Sequence, residues 1–149
     1  MAGRFRSRDV VKMKHFIEEE FQGYYEKMDF DLLIKLDGLR EMLGVPIHLS
    51  KNPDAIGRGD DVNSWHNFKL KGKVFAVDGY IPKAITYGDF YTACRKVGFT
   101  GIGLYTGWKG GRGFHLDTRT DRDPSNPAKW SGTYKDGVNS YGSISTLLS

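Results

Sequence analysis

Two short stretches of the chain carry side chains whose types and spacing suit metal chemistry. The first runs from Ser64-Trp65-His66 to Lys73-Val74-Phe75-Ala76-Val77-Asp78, and the second is Gly113-Phe114-His115-Leu116-Asp117. Each puts an imidazole or a carboxylate in or beside an apolar, strand-like run. Burying such groups among apolar neighbours is costly unless a partner compensates them. A divalent cation is such a partner. Two histidines and one carboxylate leave a fourth position open for water, the composition of a catalytic zinc site rather than a structural one. Each residue also has a plainer reading: Asp78 as a turn aspartate ahead of Gly79, His66 as a surface histidine, and His115 as a hydrogen-bonded structural residue.

Strand alternation sorts these side chains by face. Val74, Ala76 and Asp78 point one way, with Phe75 and Val77 opposite; Gly113, His115 and Asp117 share a face, with Phe114 and Leu116 opposite. The second arrangement buries two apolar side chains and presents His115 with Asp117 to one cavity. The remaining histidines are weaker candidates. His15 falls in a charged, helix-like run and is expected to be solvated, while His48 has no accompanying acid.

Several elements must position these residues. Val10, Met13, Ile17 and Phe21 stand at helical spacing over residues 9–21, with Ser7 or Asp9 as a cap. A second helix follows Asp29 or Asp31, with a stripe of Leu32, Leu36, Leu39 and Leu43 broadened by Leu33 and Met42, and stops at Gly44 and Pro46. Val45, Ile47 and Leu49 form a short strand with His48 on its other face, and residues 50–64 are a polar, glycine-rich loop. Strands are expected over 73–81, 101–105 and 113–119, the last two joined by a turn at 107–112, with a third helix over 85–97. Residues 121–149, rich in Pro, Gly, Ser and Asn, are expected to be mostly irregular. This order predicts an α+β fold, with helices packed on a small, mainly antiparallel sheet.

Length and composition limit the alternatives. A chain of 149 residues, 39% apolar and 13% aromatic, suits a single domain over 1–149 with one core. The only cysteine, Cys94, excludes an intrachain disulfide and a Cys-rich zinc site, and reads as a small core residue. No run approaches the roughly 20 apolar residues needed to span a bilayer, and the basic N-terminus lacks the apolar stretch of a secretory signal. The net charge of +4 suits solubility or attraction to a polyanion such as a bacterial wall. Lys69, Lys71, Lys73, Lys109, Arg112 and Arg119 are dispersed among acidic residues without a recognised nucleic-acid motif, so nucleic acid is not an expected partner.

Taken in order, Ser64-Trp65-His66, Gly72-Lys73-Val74-Phe75-Ala76-Val77-Asp78 and Phe114-His115-Leu116-Asp117 resemble the M15 zinc peptidases. These are D-alanyl-D-alanine carboxypeptidases and related peptidoglycan endopeptidases, including phage endolysins, of the hedgehog/D-Ala-D-Ala peptidase-like fold. The leucine-rich helix and Leu43 to Ser50 agree, so the resemblance covers about residues 28–120. It implies Zn2+ held by His66, Asp78 and His115, and hydrolysis of peptidoglycan stem peptides or cross-links. Arg58 suits the bidentate grip of a substrate carboxylate, and related enzymes place an arginine in this loop; it reads equally as a solvated loop charge. Ser64 is a candidate to bind and orient the substrate or simply to cap the loop. Two departures stand out. Eleven residues, Asn67 to Val77, separate the first histidine from the aspartate, more than is usual in the family. Arg112 and Gly113 occupy the positions where many members carry the catalytic base.

Asp117 is therefore the expected base, or else a residue that orients a ligand imidazole or pairs with Arg119, with Asp60 or Asp61 as substitutes. Tyr105 and Trp108 are candidates to line the cleft. A non-catalytic module binding zinc or wall peptide on the same fold is the alternative. The protein is expected to be a monomer made in the cytoplasm, with no membrane insertion, reaching the wall by a phage lysis or virion route.

Overall fold

The structure, a computed structural model, describes residues 13–148. Its centre is a six-stranded sheet: β1 (His48–Leu49), β2 (Ala76–Tyr80), β3 (Gly101–Thr106), β4 (Gly113–Asp117), β5 (Ala128–Lys135) and β6 (Val138–Gly142). The spatial order is β1-β2-β4-β3-β5-β6, with every pairing antiparallel except the parallel β3–β5 pair. The sheet is thus mixed, and the architecture is α+β.

Two helices cover one face. Asp29 caps α1 (Phe30–Leu43) by accepting from the Leu32 amide, and Gly44 closes it in the left-handed region at φ 73°. Thr86 caps α3 (Tyr87–Val97) by accepting from the Asp89 amide. Leu32, Leu33, Leu36 and Leu39 of α1 are buried with Val77, Ile102, Leu104, Phe114 and Leu116 of the sheet. Full burial of such a side chain contributes roughly 1.5–3 kcal/mol. Met42, expected to widen the stripe, is instead half exposed. Phe90 of α3 meets Phe114 of β4 with ring centroids 5.2 Å apart. Period-2 alternation then sends the other side chains of β2, β3 and β4 to the opposite face.

On that second face, β2, β4, β3 and β5 align Asp78, His115, Gly103 and Trp130 in one row, and Ala76, Asp117, Gly101 and Ala128 in the next. Glycine is needed at the third position of both rows. A Cβ on Gly103 would lie 2.6 Å from the Trp130 ring, and one on Gly101 would lie 2.1 Å from the Asp117 carboxylate. The bare β3 backbone thus lets large side chains from its neighbours lie across it.

Two expectations need correction. The described part of the expected 9–21 helix contains only a 3-10 turn at Glu18–Phe21; residues 9–12 lie outside the described residues. The Lys14 and His15 amides donate to the Asp37 carboxylate of α1, and the His15 ring contacts Glu41 at 2.7 Å. The segment is tied across α1 rather than coiled on itself, so His15 is paired rather than merely solvated. Phe16 is buried and Ile17 exposed, against the predicted stripe.

Residues 121–149 are not mostly irregular either, since β5, β6 and the short α4 (Ser145–Leu148) fall there. A two-residue turn at Asp136 (φ 53°) and Gly137 (φ 79°) joins β5 to β6. Positive φ at both positions matches the right-handed twist of a hairpin. β6 is exposed along its length and held by backbone pairing, so its polar residues show no alternation.

Candidate metal centre

His66 reaches the open face of the sheet from a loop held by its own side chains. The Ser64 hydroxyl accepts from the His66 amide at 3.1 Å. Asn67 caps α2 (Phe68–Lys71) through its side-chain oxygen, while its amide nitrogen donates to the Asp60 and Asp61 carbonyls. The Arg58 amide donates to the His66 carbonyl, binding the earlier part of the loop to the later part.

The hydrogen bonds of His66 determine its tautomer. Nδ1 lies 2.8 Å from the carbonyl oxygen of buried Ile56. A carbonyl only accepts, so Nδ1 carries a proton, and in the neutral ring Nε2 presents a lone pair. That Nε2 is buried, has no hydrogen-bond partner and lies 3.2 Å from Asp78 Oδ1. With Nε2 unprotonated, two acceptors face each other at this distance and repel unless a proton or a metal ion joins them.

His115 completes the set. Its Nε2 lies 2.7 Å from Asp117 Oδ2 and its Nδ1 lies 3.1 Å from Asp78 Oδ1. His66, Asp78 and His115 each offer one ligand atom, all within 4.8 Å of one another. The two distances to Asp78, 3.2 and 3.1 Å, are close to the edge of about 3.3 Å in a tetrahedron with metal–ligand bonds of ~2.0–2.1 Å. The triad could therefore hold a metal ion, and its buried orphan nitrogen fits one.

Electrostatics agree with that fit. Burial alone would raise the Asp78 pKa, but the His66 and His115 imidazoles outweigh it and hold the carboxyl below the ordinary carboxylate range. Burial also opposes a charged His115, yet its hydrogen bonds to Asp117 and Asp78 push it up to about 9. Without a metal, His115 is thus a cation donating to both carboxylates. A metal held by this triad would take the place of the Nδ1 proton, with Nε2–H still directed at Asp117.

Asp117 lies against the Nε2 side of His115. It is fully buried, and its carboxylate receives Arg119 Nε at 2.9 Å, Arg119 Nη2 at 2.6 Å and the Arg119 amide at 3.1 Å, besides His115. The cavity over the triad, about 510 Å3, is walled by His66, Asp78 and His115 but not by Asp117. This is the arrangement in which carboxylates hold ligand histidines, the orienting role expected beside that of a base. Of the substitutes, Asp61 lines the cavity and Asp60 does not.

The other expected residues lie around the same cavity. Arg58, Ser64, Tyr105 and Trp108 all line it. Arg58 Nη1 stands 3.6 Å from the Asp61 carboxylate, and its Nη2 donates to the Asp54 carbonyl. Sequence reasoning missed Trp130. Its ring lies 5.2 Å from that of His115, its Nε1 donates to the Tyr105 hydroxyl at 2.7 Å, and with Trp65 it flanks the Arg119 guanidinium. The one trace in the sequence was Gly101-x-Gly103, a strand stripped of side chains where something must cross it.

Comparison of the chain with protein-family models, curated proteins and solved structures finds no match. The site therefore rests on its own chemistry: two imidazoles and a carboxylate converging at the floor of an open cavity.

Proposed function

We propose that this chain is a zinc-dependent hydrolase of peptide bonds, acting on the stem peptides or cross-links of bacterial peptidoglycan. One observation carries the reading: three ligand atoms converge on a point that faces a cavity, with no fourth protein ligand among the described residues. The motif order that resembles the M15 peptidases supports zinc as the ion, an M15-like fold and wall peptides as the substrate.

Zinc bound there would lower the pKa of a water to about 7 and polarise a carbonyl. The chain's own residues supply the rest. Asp117, fixed by Arg119, keeps the His115 proton on Nε2 so that Nδ1 stays free for the metal. The Tyr105 hydroxyl accepts from Trp130, which leaves its own proton to donate to a substrate carbonyl oxygen. Asp61, the other carboxylate on the cavity wall, takes the role of base, with Arg58 and Ser64 contacting the substrate. No described helix is long and apolar enough to cross a membrane, in keeping with a substrate reached by delivery to the wall.

The test is incubation of the zinc-loaded chain with purified muropeptides. Chelator-sensitive release of shorter peptides is expected, and full metal occupancy without cleavage of any stem peptide rejects the reading. One observation favours a non-catalytic wall-binding module instead. Asp117 is committed to Arg119 and His115, and Asp61 faces Arg58, so no carboxylate beside the triad is wholly free to take a proton.

A further inference from the structure

The sheet face that carries the triad is also rich in aromatic rings. Strand pairing aligns Tyr80, Gly113, Tyr105, Gly132 and Tyr141 across β2, β4, β3, β5 and β6. This row lies two residues along each strand from Asp78, His115, Gly103 and Trp130, so it shares their face. Its glycines make room for rings. A Cβ on Gly113 would lie 2.0 Å from the Trp108 ring, and one on Gly132 would lie 2.4 Å from the Tyr105 ring. With Trp130 across Gly103, rings overlie β4, β5 and β3. Glycine weakens a strand interior, so this clearance comes at a cost in stability.

The array runs out onto the β5–β6 hairpin, where Tyr134 and Tyr141 are 44% and 66% exposed. Tyr134 pairs with Asn139 and so stands on the same face. Trp108 and Asn139 wall both the cavity over the triad and a second one of about 670 Å3. Tyr141 and Trp130 wall the first, Tyr80 and Tyr134 the second. The fold buries neither hairpin tyrosine, and an exposed aromatic patch beside a cavity marks a binding surface.

We propose that this face binds a neutral oligosaccharide, with pyranose rings laid against Trp108, Tyr134 and Tyr141. Binding needs no metal and breaks no bond, so it stands apart from the hydrolase reading.

The chemistry of the lining selects this ligand. A pyranose presents C–H bonds on its faces and hydroxyls around its edge. Aromatic faces suit the first through apolar contact and weak C–H interactions. Side-chain amides suit the second, because each donates and accepts at once. Asn52, Asn63 and Asn139 line the two cavities, and their side chains make no hydrogen bond among the described residues. Those free amides set a sugar apart from an apolar peptide side chain. Charge excludes a nucleic acid: Arg58, Arg119 and Lys109 on the walls are balanced by Asp54, Asp61 and Asp78. A phosphate backbone is held by an excess of cations, which is lacking here. From β4 to β6 the face spans three strand spacings, about 14 Å, which suits a chain of sugars better than a single ring.

The experiment is calorimetric titration of the purified chain with two β-1,4-linked tetrasaccharides, one of glucose and one of N-acetylglucosamine. Saturable binding of at least one is expected, and a preference between them shows whether the acetamido group is read. Replacing both hairpin tyrosines (Tyr134→Ala with Tyr141→Ala) is expected to weaken binding at least about fivefold, the size of two lost stacking contacts. No saturable binding of either sugar at millimolar concentration overturns the proposal, as does unchanged affinity in the double variant. Equal binding of a thymidine oligonucleotide also overturns it. Nuclear magnetic resonance of the wild-type chain gives a readout that needs no variant: the Trp108 indole N–H is expected to shift on adding sugar, and an unmoved resonance contradicts the site. Sugar binding by a chain that cleaves no muropeptide counts against the hydrolase reading alone, and muropeptide cleavage without sugar binding counts against this proposal alone.

Discussion

Replacing Asp117 by Asn separates a base from a group that orients a metal ligand. The wild-type carboxylate, fully buried, accepts from both Arg119 and His115 Nε2. An asparagine of the same shape keeps one oxygen and turns an NH2 toward the other partner. If the NH2 faces His115, the ring must present a lone pair at Nε2 and carry its proton on Nδ1, which removes the ligand atom 3.1 Å from Asp78. If it faces Arg119, two donors meet in a site shielded from water. Loss of such partners typically weakens metal binding about 10–100-fold, or ~1.4–2.7 kcal/mol. Breaking the buried pair with Arg119 adds a fold-stability cost of about 3 kcal/mol, the lower end for such pairs because the guanidinium keeps some exposure to water. Zinc affinity would be measured by competition with a chromophoric chelator, and stability by thermal melts of the metal-free protein. A folded Asp117→Asn chain with wild-type zinc affinity would refute the orienting role, and if it had also lost activity, Asp117 would be restored as the base.

Four further outcomes follow from the structure. Gly103→Ala puts a methyl 2.6 Å from the Trp130 ring and is expected to cost about 1–3 kcal/mol in urea unfolding, as overpacking does; an unchanged midpoint would contradict the close approach. His115, pushed up to about 9, is charged near neutrality in the metal-free chain, so zinc binding at pH 7.5 is expected to release close to one proton, read as a dependence of calorimetric heat on buffer ionisation enthalpy. Because this pKa is raised above the unfolded value of about 6.5, the stability it contributes is full below that pH and is lost as pH rises through about 9. A metal-free melt that holds constant across this window would contradict the assignment. Burial pushes the Cys94 thiol well up, so iodoacetamide is expected to modify it only after unfolding, and rapid labelling of the native chain would show that α3 opens.

The convergent triad was legible as a candidate metal site because an imidazole or carboxylate amid strand-forming apolar residues conflicts with its surroundings, and His66, Asp78 and His115 carry that conflict in their neighbours. The leucine stripe of α1 and the alternation in β2 to β4 were legible for the related reason that one buried face imposes a period. β6 escaped because nothing packs on it: Val138 and Tyr141 are exposed, and the strand is defined by pairing that leaves no mark on residue type. The N-terminal stripe misled because Asp37 supplies the hydrogen bonds that an isolated segment would have found by coiling. The role of Asp117 depended on Arg119, two positions away on the chain, reaching back to occupy both carboxylate oxygens. Alternation placed that carboxylate beside His115 and left base, orienting residue and partner of Arg119 open; the structure adds that His115 and Arg119 hold it together.

The most direct measurement is the metal content of the purified chain by elemental analysis after zinc loading and dialysis, alongside His66→Ala and Asp78→Ala. One zinc per wild-type chain, with none retained by either variant, is the predicted result. A wild-type chain that retains no divalent ion, or variants that keep theirs, would contradict a centre built from His66, Asp78 and His115.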